Sequence, residues 1–433
     1  MFKLCSQNAY LQGVKATYQV PIVQTLTRGL WTRCSKNPTI KQHPTPSQNY
    51  LSSFNYPSAA IARTSQHFLK YTNCRYSHNN IKMSSPKEFR LFCLENPLLD
   101  IQAVGDEALL NKYGLKANDA ILAEAKHAGI FEELLNNYDA KLIPGGAAQN
   151  TARGAQYMLP PNSVVYSGGV GDDKYAAILR DAVQKVGLRV EYRVDPKETT
   201  GRCAVVITGH NRSMCTELGA ANHYEVEFLK KPEIWELVKG AEVYYIGGYH
   251  FTVCPPAIME LAKEAATNNK TFILSLSAPF IPQFFKDPLD AALPYCDYVI
   301  GNETEAAAFA ESHDMADKKD DVRAVAKAIA NLPKENSQRK RVAIITQGTL
   351  PTIVAVQGED EVKEYPVHEI AKEQINDTNG AGDAFAAGFC AGVVENKPLA
   401  ECIDRGQWLA RLSIQELGPS YPFPKQTYQP QSA

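Results

Sequence analysis

Acidic residues are missing from the first 87 positions of this 433-residue chain; the first is Glu88. Residues 1–85 hold ten Lys or Arg, which leaves 35 basic residues against all 47 acidic ones in the remainder. A formal charge of −2 therefore hides a +10 leader and a −12 body. No run of about 18 apolar residues occurs, so no membrane-spanning helix is expected. The ten cysteines, at 5, 34, 74, 93, 203, 215, 254, 296, 390 and 402, include no Cys-x-x-Cys pair, and the nine histidines show no ligand spacing. They read as reduced, mostly buried thiols rather than a zinc site or a disulfide framework. Gly-x-x-x-x-Gly-Lys-Ser/Thr, His-Arg-Asp and Asp-Phe-Gly are all absent, which excludes P-loop and protein-kinase machinery.

What is present divides at about residue 85. The leader is rich in Ser, Thr, Asn, Gln and Tyr, has prolines at 21, 38, 44, 46 and 57, and lacks a sustained apolar period, so it is expected to be mostly disordered. Its composition is that of a mitochondrial transit peptide. Translation from Met83, or an overlong gene model, accounts for it as well and is the preferred explanation. Its charges are dispersed, so no nucleic-acid partner is expected. One domain is expected over 86–425, with 426–433 as a tail.

In the body, short β-branched runs (89–94, 163–167, 202–208, 241–246, 271–276, 297–300, 341–346 and 352–356) alternate with helical periods. The helices are expected near 148–158, 174–186, 255–267, 303–311, 320–331, 381–395 and 399–415. Such alternation gives an α/β fold, a mostly parallel central sheet flanked by helices on both faces. Ligands in these sheets bind beyond the carboxyl ends of strands, where glycine-rich turns enter helices.

The most informative string is Asp377-Thr378-Asn379-Gly380-Ala381-Gly382-Asp383, which opens onto the small-residue stretch Ala384 to Val394. Its glycines permit a tight turn and close approach to a ligand, and a helix start there presents N–H groups to an anion. Asp383 in an anion site needs a further reason, and taking a proton from an attacking hydroxyl is one. The plainer alternative is a strand-to-helix connection with a first-turn charge. A second glycine turn, Pro144-Gly145-Gly146-Ala147-Ala148-Gln149-Asn150, ends in an amide that both donates and accepts hydrogen bonds. A third string, Glu95-Asn96-Pro97-Leu98-Leu99-Asp100, places a carboxylate at a strand end, where it can accept from vicinal hydroxyls or simply close a turn.

Together these strings resemble the ribokinase-like (PfkB) carbohydrate and nucleoside kinases over about residues 89–425, and among them the adenosine kinases of fungal type. Asp377, Thr378, Gly380, Ala381, Gly382 and Asp383 match the run that ends in the family's catalytic base. Gly145, Gly146 and Asn150 match its Gly-Gly-x-x-x-Asn substrate motif, although Ala147 stands where many adenosine kinases have Ser. The family has a small β-rich lid, placed here in about 101–142 and 188–225. Gly168-Gly169-Val170-Gly171-Asp172-Asp173 resembles a family block that is mainly structural, with Ala176 where Gly is usual.

The resemblance implies an ATP:adenosine 5′-phosphotransferase of purine salvage, giving AMP and ADP. It implies Asp383 as base, an anion hole from Gly380, Ala381 and Gly382 with the Asp383 N–H, and Asn96, Leu98, Asp100, Gly145, Gly146, Asn150 and Asn379 at the substrate. It implies Arg212, Asn302, Thr346, Gln347 and Gly348 at ATP, and Mg²⁺ positioned by Glu305, through water. Base contacts are expected around Ala120, Met214, Tyr249 and His250. Two alternatives stay open: a kinase for another nucleoside or sugar, and a catalytically silent nucleoside-binding protein. A monomer is expected, in the cytoplasm with the nucleus also open to it, or in the mitochondrion if the leader is a transit peptide.

Overall fold

Runs of Val, Ile, Leu and Tyr that are buried on both sides set the strands of the main sheet, as a parallel sheet covered on two faces requires. The computed structural model describes residues 88–117, 120–209 and 211–430; the basic leader lies outside them. The strands in the first half are β1 Leu91–Leu94, β2 Leu98–Val104, β3 Ala120–Leu122, β4 Lys141–Gly145, β5 Val164–Gly171, β6 Arg189–Asp195, β7 Arg202–Thr208 and β8 Asn211–Glu217. Those in the second half are β9 Val243–Gly247, β10 Thr271–Ser275, β11 Tyr298–Asn302, β12 Val342–Gln347, β13 Leu350–Val356 and β14 Val362–Tyr365.

Nine of them form one sheet in the order β14-β13-β12-β11-β10-β9-β1-β5-β6, parallel throughout except for the antiparallel edge β13 and β14. The chain leaves β1 toward β5 on one side and returns to β9 on the other. The crevice at the carboxyl ends of β1 and β9 is therefore a topological switch point, the place where such sheets bind ligands. Two apolar layers cover the sheet: one packs the helices Ala147–Met158, Ala381–Val394 and Leu399–Ser413, the other packs Pro255–Thr267, Glu303–Ser312 and Val322–Ala330.

A second sheet, β3-β8-β7-β2-β4, stands beside this crevice. One of its faces is closed by the helices Glu107–Tyr113 and Ile130–Asn137 through Leu109, Leu110, Ile130, Phe131 and Leu134. The expected lid segment 188–225 divides here. β7 and β8 enter the small sheet, whereas β6 pairs with β5 in the large one. The reason is the short turn at Gly187-Leu188, which returns the chain from the helix Lys174–Lys185 alongside β5 as an ordinary β-helix-β unit. β2 also begins earlier than the expected lid, at Leu98. The chain beyond 425 packs onto the domain as far as Tyr428: the Gln426 N–H donates to Tyr157 Oη at 2.7 Å, and Tyr428 meets Trp408 edge-on.

The helix Ala381–Val394 is buried almost all round. A Cβ at Gly388 would lie 2.3 Å from the Arg405 carbonyl oxygen, and one at Gly392 would lie 2.8 Å from Cys402 Sγ. Only glycine at these two positions lets the helix Leu399–Ser413 come so close.

Candidate active site

The end of β1 supplies the first wall. Asn96 donates from Nδ2 to the Tyr249 carbonyl at 3.2 Å, so its Oδ1 accepts from His250 Nδ1 at 2.9 Å. Asp100 follows in β2, opposite Ile143 of β4. A Cβ at Gly145 would stand 2.4 Å from Asp100 Oδ1, and one at Gly146, where φ is +87°, would strike the Asn96 carbonyl oxygen at 2.6 Å. The two glycines are thus required by close approach. Gly146 then starts the helix Ala147–Met158, whose first turn gives the Ala148 N–H to Glu95 Oε2 at 2.7 Å and carries Asn150.

The second wall is the run from Asp377. Its carboxylate accepts the Asn379 N–H at 2.7 Å on Oδ1 and the Gly418 N–H at 3.0 Å on Oδ2, which fixes the loop. Gly380, at φ +77°, caps the helix Ala381–Val394 against Pro419, and Asp383 occupies the first turn. The first-turn N–H groups of Gly382 and Asp383 have no acceptor supplied by helix geometry, so they suit an anion. Asn150 Nδ2 donates to Asp383 Oδ2 at 3.0 Å, and Thr151 Oγ1 donates to the Asp383 carbonyl at 3.2 Å. Residues 233 positions apart are joined directly at the site.

A cavity of about 380 Å³ separates these walls, within the range that holds a small-molecule ligand. Asn96, Leu98, Asp100, Gly146 and Asn150 line it on one side, and Asn379, Gly380, Ala381, Gly382 and Asp383 on another. Asn302, Glu305 and Thr346 line its far end. Asn302 caps the helix Glu303–Ser312, and Glu305 answers by accepting the Asn302 N–H at 3.1 Å and its Nδ2 at 2.8 Å. Gly145 lies behind Asp100 and off the lining.

Three of the expected ATP contacts sit elsewhere. Gln347 Nε2 donates to the Pro351 carbonyl at 2.7 Å and so braces the β12–β13 turn, in which Gly348 takes a positive φ of 59°. Neither lines the cavity. Arg212 of β8 pairs with Asp377 Oδ1 at 2.8 Å, which ties the small sheet to the anchor of the glycine run. Replacing Arg212 with Ala leaves the buried Asp377 carboxylate without its cation and is expected to destabilise the fold by about 1–3 kcal/mol, read by urea unfolding at pH 7.

Ala120, Met214 and Tyr249 line the cavity, whereas His250 is buried behind Asn96. Phe280 ends the string Leu276 to Phe280, which resembles the family but carries no expected site role; its ring stands 5.9 Å from that of Tyr249, so the cavity has an aromatic wall. Glu95 was legible only as the start of a motif.

Four carboxyls around this cavity hold their protons more tightly than usual. Burial is the first cause in each: Glu95 is pushed up to about 8, and Asp100, Glu305 and Asp383 to about 7. The Asp383 charge adds to the rise at Glu95, Asp100 and Glu305. Asn150 opposes it at Asp383, and Arg153 opposes it at Asp100. A carboxylate poised near 7 beside a helix N-terminus is suited to general-base work at neutral pH.

Residues 107–426 match the family described as pfkB family carbohydrate kinase. The chain belongs to this family. It is 48% identical over 340 residues to an adenosine kinase of Schizosaccharomyces pombe, covering 78% of this chain and 98% of that one. It is 44% identical over 333 residues to adenosine kinase 1 of Arabidopsis thaliana, covering 77% and 96%. Among solved structures it is similar to Anopheles gambiae adenosine kinase in complex with P1,P4-di(adenosine-5) tetraphosphate, with TM-score 0.74, 44% identity and coverage of 77% and 98%. Schistosoma mansoni adenosine kinase in complex with 2-fluoroadenosine gives TM-score 0.74 at 35% identity, with coverage of 77% and 98%. As a pfkB kinase, the protein uses ATP with a divalent metal.

Proposed function

We propose that this protein is an adenosine kinase, transferring the γ-phosphoryl group of ATP to the 5′-hydroxyl of adenosine. The observation that carries the reading is the Asn150–Asp383 hydrogen bond. It sets a carboxylate of raised basicity at the mouth of a helix N-terminus, in one cavity with Asp100 and an aromatic wall.

Asp100 accepts the ribose hydroxyls, and the base packs near Tyr249 and Phe280. Asp383 takes the 5′-hydroxyl proton while a new P–O bond forms and the bond to ADP breaks. The N–H groups of Gly382 and Asp383 stabilise charge on the phosphoryl oxygens, while that of Ala381 donates to the Thr378 carbonyl at 3.3 Å, so the work is positioning and electrostatics.

The residues present fit Mg²⁺ as the metal. Glu305, on the cavity lining beside Asn302, offers a carboxylate, and Mg²⁺ carried by phosphates needs only one or two from the protein. Glu305 would hold it, through water, and the ion would neutralise phosphate charge.

Two outcomes test the reading. In an ATP-turnover panel with adenosine, inosine, guanosine and ribose, adenosine is the preferred substrate; a preference for ribose overturns the assignment. The kcat profile rises with pH through about 7, as Asp383 loses its proton. A profile already flat from pH 5 removes Asp383 as the base.

A further inference from the structure

Arg153 is a buried cation that the mechanism above does not use. It stands on the helix Ala147–Met158 one turn after Asn150, is 8% exposed and, unlike Asn150, does not line the cavity. Its Nη1 donates to the Pro144 carbonyl and to Asn150 Oδ1, each at 3.4 Å, and its Nε has no hydrogen-bond partner among the described residues. A guanidinium kept from water with so few bonds is costly, so packing alone is a poor account of it.

The Asn150 amide lies between two opposite charges. Oδ1 faces the Arg153 guanidinium, and Nδ2 donates to Asp383 Oδ2 at 3.0 Å. Turned over, the amide would set its oxygen against a carboxylate and its NH₂ against a cation that has no acceptor. The Arg153 bond is long, and charge rather than close fit makes it hold. Protonation of Asp383 changes the balance on that side alone, because a protonated carboxyl donates and would prefer the amide oxygen. Arg153 keeps that oxygen engaged.

We propose that Arg153 is a positioning residue for the base: it locks the Asn150 amide with Nδ2 toward Asp383, so that the site favours the ionised carboxylate over the protonated one. The inference rests on Asp383 being the base of the kinase reading. Asp100 of β2, Tyr192 of β6 and Tyr421 of the C-terminal segment face Arg153. Burial raises both tyrosines, so Asp100 is the anion on that side. Asp383 is faced by the carboxyls of Glu95, Asp100 and Glu305 and by the hydroxyls of Tyr245, Tyr249 and Tyr421. Against the burial that raises Asp383, the Asn150 hydrogen bond pulls it down.

The test is the pH profile of kcat for the full chain and for Arg153→Met, Arg153→Ala and Arg153→Lys. Adenosine and ATP are kept saturating, so that Asp100 does not enter through KM. The wild-type midpoint lies at about 7. In the methionine and alanine variants the amide can turn to accept from protonated Asp383, and the midpoint rises by about one pH unit. Their kcat falls by about tenfold at pH 6 and returns to within about twofold of the wild type at pH 9. Arg153→Lys keeps a cation near Oδ1 and a midpoint closer to that of the wild type than to that of Arg153→Met. In an Asn150→Ala background Arg153→Met leaves the midpoint where it was. An unmoved midpoint in both charge-free variants overturns the proposal, whatever their Tm. So does a shift of the same size without Asn150. If neither charge-free variant folds, Arg153 is a structural residue and the proposal falls as well. Adenosine turnover by the wild type, and its own rise through about 7, report separately on the kinase reading, which can stand while this inference fails.

Discussion

Asp383→Asn lowers kcat by about 10²- to 10⁴-fold, the range that one positioned base contributes. The substitution keeps the shape of the side chain, and the amide oxygen can still accept from Asn150 Nδ2, so the loop and the helix start remain in place. KM for adenosine and for ATP therefore stays within about threefold, the mark of an interaction made only as the reaction proceeds. The stability of the variant moves the other way. Because burial raises the folded-state pKa of Asp383 to about 7, its contribution to stability is full below pH 4 and is lost as pH rises through 7. An asparagine has no such loss. The variant should have a higher Tm than the wild type at pH 8 and an equal one at pH 4. Turnover within tenfold of the wild type removes the base assignment, and a Tm lower at pH 8 removes the claim that the charge is held at a cost.

Gly145→Ala is the second change of large effect, and it acts on substrate and not on chemistry. The new methyl group would arrive 2.4 Å from Asp100 Oδ1 and 2.6 Å from its Cγ, distances no real contact tolerates. The neighbour that must yield is the carboxylate assigned to the ribose. Its displacement removes charge-assisted hydrogen bonds, so KM for adenosine rises by about 100-fold while KM for ATP changes little. Gly240→Ala is the control, since nothing stands within 4 Å of a Cβ there. If Gly145→Ala and Gly240→Ala give equal KM values, the close approach has no functional meaning.

The sequence made these sites visible to different degrees. Asp383 follows Gly382, Asn150 closes the Gly145-Gly146 turn, and Asp100 stands just after the first strand run, inside β2 in the structure; that local setting marks them as residues with work to do. The chemistry of Glu95 depends on Ala148 and Gly247, brought from 53 and 152 positions away, and no local pattern announces it. The pairing of Arg212 with Asp377 is hidden for the same reason. Long amphipathic helices such as Pro255–Thr267 were legible from their period. Short ones such as Phe280–Phe284 hold too few turns to show one. The expected strand 163–167 stops short of the run Gly168 to Gly171, yet β5 continues through it. Its glycines are there because Pro97, the Ala220 carbonyl and the Glu198 carbonyl press on the strand.

The glycines at 388 and 392 bear on how the site can move. They seat the helix that carries Asp383 so tightly on its neighbour that this helix has no room to shift. The base and the anion hole therefore form a fixed frame. The small sheet joins the rest of the described domain through a few short crossings, near 95–98, 145–147, 195–202 and 217–219. Adjustment to a ligand falls to that side, so a variant that stiffens the crossing at 195–202, which carries no substrate contact, should slow substrate entry and product release while leaving the chemical step as it was.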